Sequence, residues 1–509
     1  MSENLSSNKR IAKNTIFLYG RLILTMMISL YTTRVVLNVL GVVDFGIYNV
    51  VCGFVAMFSF LNTTMSNGIQ RFYNYEAGKN GINAVTKVYQ TAMLIQIVLV
   101  VLLLLVIEPL GFWYINNEMV IPNDRLFAAN WIFQFSLFSL MFIVLQVPFS
   151  AAVMAHEKMN YYATIGIIDA FLKLAIVLVL PYLGGDCLII YGLLLFSVSL
   201  LNLLFYAIYA LKNFQELKLS KVFHKDLFNN IFKFTGWNLV EMFAWTTQGQ
   251  GVNMVMNLFC GPIVNAAQGI ATQISSALSS FCTNLSVAFR PQLVHSFAAG
   301  DFERTTKMFF VMSKSMFTLM TLMIVPLSLE MQFILNLWLG DAIPQYTLQF
   351  AVLVMLSMLP RNMTMAISQI IHASGKMKTY QLGSALVIFL VLPLAYLLLK
   401  MDYSPVYIYI CSIIVFCILW IVDLLLLKRV FNYSLRYYFR LVAFPCLFLL
   451  LGAYSIPYFI HLNMEVGLIR FVVVSIISIV TTIFFAYLLL LSSGEKGMVK
   501  TYVINKIRR

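Results

Sequence analysis

The sequence predicts an all-α, polytopic membrane protein of two pseudo-symmetric six-helix lobes and two extra C-terminal helices. Of 509 residues, 61% are hydrophobic and only 11% charged, far from the balance of a soluble domain. About fourteen apolar stretches alternate with short charged loops, and about 20 such residues suffice to cross a hydrocarbon core of roughly 30 Å. Only helices and closed barrels satisfy their own backbone in that medium. A third observation, an internal repeat at an offset of about 219 residues, divides the spans into halves.

Taken in order, the spans fall at roughly 13–38, 45–68, 87–107, 126–147, 162–182, 187–210, 232–258, 262–289, 308–329, 346–367, 380–400, 405–427, 440–460 and 466–492. They group as a first lobe over 1–230, a second over 231–430, and a final pair with its tail over 431–509. Lys and Arg orient them. With the N-terminus inside, 27 of the 34 fall in cytoplasmic segments, only Arg125 and Lys400 fall outside, and five lie within spans. Both termini are therefore expected in the cytoplasm. The net charge of +14 is this positive-inside surplus, and no nucleic-acid partner is expected. The start MSENLSSNKR has no cleavable signal pattern. Seven scattered cysteines without a CxxC pair give neither a disulfide framework nor a metal site, and no cofactor is expected.

The repeat is clearest in two cytoplasmic loops. AHEKMNYY carries Ala155, Lys158, Met159 and Tyr162; ASGKMKTY carries Ala373, Lys376, Met377 and Tyr380 at an offset of 218. Asn38 and Gly41 end span 1 as Asn257 and Gly261 end span 7, and Arg71 and Arg290 close spans 2 and 8. Six spans separate the equivalents, so both halves have the same orientation, with a substrate site expected at their interface.

Polar stripes mark the helices expected to be wet. Span 8 carries Asn265, Gln268, Thr272, Ser275, Ser279 and Thr283 on one helical face, span 2 carries Ser59, Asn62, Ser66 and Gln70, and span 7 runs from Thr246 through Gln248 and Gln250 to Asn253. Such faces line a water-filled cavity or bond to neighbouring helices. Arg21, Arg34, Asp169, Lys173, Glu241, Arg361, Asp423 and Arg470 are the ionisable residues within spans. Asp423 and Arg470 lie near span ends, where a charge can reach the interface. Arg21 and Glu241 are near-equivalents in the two halves, so they form a closing ion pair, a static buried pair, or a coupling-cation site for Na⁺ or H⁺ at Glu241. Arg34, Lys173 and Arg361 give the lumen excess positive charge, suited to phosphate or pyrophosphate. Pro148, Pro181, Pro326, Pro360 and Pro393 are candidate bends or helix ends. Dispersed histidines, short outer loops and the lack of HExxH or a nucleotide-binding glycine loop argue against an enzyme.

These features resemble the Wzx-type polysaccharide flippases of the multidrug/oligosaccharidyl-lipid/polysaccharide exporter superfamily. The likeness rests on NTIFLYGR at Asn14 to Arg21, RVVLNVLGVVDFGIYNV around Asn38, Gly41, Asp44 and Tyr48, LNLWLGDAIP with Trp338, Gly340 and Pro344, and the two K-M-x-x-Y loops. It implies a V-shaped alternating-access transporter of the bacterial inner membrane. Its substrate would be an oligosaccharide on undecaprenyl pyrophosphate, moved to the periplasmic leaflet for polysaccharide or lipopolysaccharide (O-antigen) synthesis, with spans 13 and 14 offering a groove for the tail. Lipid II flippases, also of fourteen spans, and ion-coupled exporters of small amphiphiles remain alternatives.

Overall fold

The computed structural model describes residues 2–80, 82–156, 158–217, 224–340, 342–491 and 496. Among these there is no strand. The helices are α1 (Ser2–Ala56), α2 (Phe60–Asn80), α3 (Ile82–Asn117), α4 (Leu126–Ala155), α5 (Met159–Val179), α6 (Cys187–Asn213), α7 (Lys225–Cys260), α8 (Pro262–Ala298) and α9 (Phe302–Leu329). They continue with α10 (Met331–Leu339), α11 (Thr347–Ser374), α12 (Met377–Phe389), α13 (Val391–Lys400), α14 (Val406–Val430), α15 (Leu435–Tyr438), α16 (Phe444–Asn463) and α17 (Leu468–Leu489). The all-α membrane architecture expected from composition is what the chain forms.

Eleven helical stretches among the described residues are long and apolar enough to cross a bilayer. The first, Ile23–Tyr73, takes in the second half of the first expected span and all of the second. α7 and α8 hold the seventh and eighth expected spans and fall outside the eleven; both carry polar runs that lower their apolarity. Local chemistry sets the ends. Asp186 caps α6 by accepting from the Leu188 and Ile189 amides, and Asp301 caps α9 by accepting from the Arg304 amide. Pro148, Pro326 and Pro360 lie inside helices. Pro181 sits in the single 3₁₀ turn that ends α5, and Pro393 in the first turn of α13, so these two mark helix ends.

By packing, the described residues form two compact units, one within 1–269 and 395–402, the other within 270–394 and 403–509. In the first, α7 packs against α1, α2 and α3. One core here gathers Tyr73, Tyr89, Ile69, Phe149 and Val153. In the second, fully buried Phe309 stacks on Tyr438 with centroids 5.2 Å apart. Leu447, Phe448, Leu451, Ile476, Val480 and Ile483 on α16 and α17 stay exposed, as helix faces in lipid do, where the medium is as apolar as the side chain.

The repeat is visible in the backbone. Gly41 (φ 76°, ψ 170°) interrupts α1, and Gly261 (φ 73°, ψ −176°) separates α7 from α8. Positive φ at both positions strains any residue but glycine. Lys158 (φ −79°, ψ 53°) starts α5 as Lys376 (φ −88°, ψ 60°) starts α12.

Candidate functional site

The two glycine breaks place polar side chains together in the first unit. After Gly41 the chain re-enters as a second segment of α1; after Gly261, Pro262 opens α8, where its missing amide hydrogen costs nothing. These segments approach closely because the contact positions lack side chains. A Cβ at Gly46 would lie 1.9 Å from the Pro262 carbonyl oxygen, one at Gly53 would lie 2.6 Å from Gln250 Oε1, and one at Gly269 would lie 2.5 Å from Asn49 Oδ1.

An amide chain runs through this contact. Asn257 accepts from the Val120 amide at 2.9 Å and donates to Asn265 Oδ1 at 3.0 Å. Asn265 donates to the Asn253 carbonyl and to Asn253 Oδ1, both at 2.7 Å, and Asn253 donates to the Asn49 carbonyl at 3.2 Å. Asn257 and Asn265 are fully buried. In a low-dielectric interior a satisfied network of this kind fixes one arrangement of the segments.

The stripe foreseen in span 8 therefore does two things. Asn265 is fully buried in this conformation, with its side chain bonded to Asn253 and Asn257. Gln268 is half-buried and its Oε1 is buried without a partner. Thr272 is exposed. Ser275 and Thr283 turn hydrogen bonds onto their own helix, to the Thr272 and Ser279 carbonyls. In α7, Gln248 is half-buried beside buried Thr247.

The foreseen charges also separate. The Arg21 side chain lies outside the described residues, so its expected pairing with half-buried Glu241 falls there too. Arg34 is exposed on α1 and Arg361 is half-buried on α11. Lys173 is not a surplus cation: its Nζ donates to Asp169 Oδ2 at 2.8 Å, one helical turn away. Asn202 of α6 holds the other oxygen, Asp169 Oδ1, at 2.7 Å. The cation is offset, and the argument for a positively charged lumen loses that member.

Three clusters around charged side chains bring together partners that the sequence does not mark. Arg125 lies between Asp44 and Asp186: it pairs with Asp44 through Nε at 2.7 Å and with Asp186 through Nη1 at 2.7 Å. Burial pushes the Asp186 carboxyl up, but the Arg125 bonds and its own helix-capping amides outweigh that and hold it below the usual carboxylate value. Glu330, at the end of α9, is fully buried and accepts from Arg470 Nη2 at 3.0 Å and from His461 at 2.9 Å. Arg470 therefore pairs inside the protein, with Glu330. Asp423 is likewise buried, accepting from Tyr380 at 3.1 Å and from Ser384 at 2.6 Å. The available signal was the scarcity of acids: an acid at one span end and a cation at another invite pairing.

These features define a polytopic helical membrane protein with glycine-broken, amide-latched helices. The same fold is found in a structure of the lipid II flippase MurJ in an inward closed conformation. That chain is 14% identical; the match covers 94% of this chain and 98% of that one, with a TM-score of 0.70. An inward-facing multidrug resistance MATE family transporter of the MOP superfamily matches at 12% identity, covering 80% and 97%, with a TM-score of 0.64. A MOP superfamily transporter from Pyrococcus furiosus matches at 13% identity over 82% and 95%, with a TM-score of 0.58. No curated protein sequence matches the chain. The model of the polysaccharide biosynthesis protein family matches residues 11–297, more than half of the sequence. The chain belongs to that family, and the resemblance drawn from its loops is borne out.

Proposed function

We propose that the protein is a flippase. It carries a polyprenyl-pyrophosphate-linked oligosaccharide from the cytoplasmic to the periplasmic leaflet of a bacterial inner membrane, by alternating access. The observation that carries this reading is the family match over residues 11–297. Chemistry supports it. A sugar–pyrophosphate head crossing unaided would expose charges and hydroxyls to hydrocarbon. Gln248, Gln268 and Thr272 are suited to sugar hydroxyls, and Arg21, Arg34 and Arg361 to the pyrophosphate. Lys173 joins them only if Asp169 releases it, and Asn265 only if the amide chain opens. Glu241 is the candidate site of a coupling cation, Na⁺ or H⁺. In this reading the protein transforms no bond and is a transporter, not an enzyme.

Lipid II is the second substrate reading. It is favoured by the extent of the fold match, 94% of this chain for the lipid II flippase against 80% for the multidrug exporter. Ion-coupled export of small amphiphiles is the third. The test is reconstitution into liposomes with fluorescent lipid-linked oligosaccharide, lipid II, or a cationic dye. Movement of the first alone supports the reading, equal movement of lipid II replaces the substrate, and ion-driven movement of the dye alone overturns it.

A further inference from the structure

The two repeated loops agree in Ala, Lys, Met and Tyr but differ in the residues between. The second loop has the uncharged pair Ser374 and Gly375 between its Ala and its Lys. Gly375 ends α11 at φ 70°, and Ser374 donates to the Ile371 carbonyl while accepting from the Lys376 amide. The first loop has His156 at the place of Ser374, and the flippase reading gives it no task.

His156 has an oxygen at each ring nitrogen. Nδ1 lies 2.9 Å from the Ala152 carbonyl oxygen and Nε2 lies 2.7 Å from Glu216 Oε1. Its ring stacks on Phe214 at 4.0 Å between centroids. A carbonyl oxygen only accepts, so Nδ1 must carry a hydrogen. A proton must also lie between Nε2 and the Glu216 carboxyl. Whether that proton sits on nitrogen or oxygen, the bridge holds one proton more than a separated neutral imidazole and carboxylate. Phe214 and Leu217 are buried in the core that holds Ala152 and Val153, so the bridge ties the end of α4 to the segment that follows α6.

We infer that His156 and Glu216 form a proton-dependent latch on the helix ends that the charge bias assigns to the cytoplasm. Proton uptake closes it, and proton loss leaves a carboxylate facing an imidazole lone pair. Among the described residues, four nearby titratable groups have other partners or face outward. Tyr73 of α2 lies near Glu216, but its hydroxyl donates to the Pro148 carbonyl. Tyr161 of α5 donates to the Phe205 carbonyl and stacks on Tyr209 of α6. Lys158 and Lys212 are exposed. Because proton uptake closes the bridge, a lower pH favours the closed latch and a higher pH the open one.

Hydrogen–deuterium exchange of the full-length protein in nanodiscs tests this without reading transport. Peptides covering 152–162 and 210–217 are followed at pH 6 and pH 8, corrected for the intrinsic pH dependence of exchange. The expected result is a rise on the order of fivefold from pH 6 to 8, the size of a partly exposed ion pair. Glu216→Gln should abolish the step. So should the double variant His156→Ser with Glu157→Gly, which writes the second loop into the first; it covers the case in which Glu216→Gln fails to fold. Equal wild-type protection at both pH values, or a step that survives either folded variant, overturns the latch.

Discussion

In the first unit a cation is held by two acids; in the second an acid is held by two bases. Arg125 lies between Asp44 and Asp186 with 17–29% of each side chain exposed. Glu330 lies between Arg470 and His461 with none of its own side chain exposed and 8% of the arginine's. Both clusters join helix ends that are distant in sequence. Burial is the difference that matters. Water still screens the first cluster, whereas the second must satisfy its charges internally. The first should therefore behave as an adjustable tie and the second as an all-or-none one.

The largest expected effect comes from breaking the buried cluster. Glu330→Ala strands Arg470 and half-buried His461, which should cost about 3–5 kcal/mol of stability, seen as a lower thermal midpoint in detergent. Replacing both partners, as in Glu330→Leu with Arg470→Met, should recover most of that loss, since apolar groups of similar volume replace a buried pair at little cost. If the single variant is as stable as the parent, the contrast between the clusters fails.

Arg125→Ala should cost less, about 1–2 kcal/mol, because its charge-assisted bonds are partly screened. Acid sharpens the point. Asp186 is held below its usual value, so its contribution is present above the unfolded value near 3.9. It is lost as pH falls through the lower folded one. Asp186→Asn should narrow its stability gap to the parent as pH drops below about 4. A gap that widens instead would mean the carboxyl is bonded in its protonated form.

Local features were legible in the sequence and distant ones were not. Gly41 and Gly261, and Lys158 and Lys376, could be matched because each acts on its own backbone. Asp423 and Arg470 were read by their depth in a span, because nothing local marks a partner. That partner is Tyr380 or Ser384 for the first and Glu330 for the second, 43, 39 and 140 residues away. Asn265 was read from helical periodicity, which gives a shared face but not what that face meets. Asn253 and Asn257 now answer that for this conformation.

The smallest stability effect is expected where the question about function is sharpest. Lys173 is 46% exposed and pairs with Asp169 one turn earlier on α5, an arrangement that gives about 0.2–0.5 kcal/mol on a hydrated helix face. Lys173→Gln should therefore barely move the thermal midpoint; a loss of several kcal/mol would place the pair in hydrocarbon. Transport of the labelled lipid-linked oligosaccharide then separates two roles. Lys173→Gln leaves Asp169 uncompensated and should slow movement of an anionic head in either case. Adding Asp169→Asn restores neutrality. Recovery in the double variant would mean that Lys173 only cancels its neighbour, as its geometry in this structure indicates. Continued loss would mean that the ammonium itself meets the pyrophosphate once Asp169 lets it go.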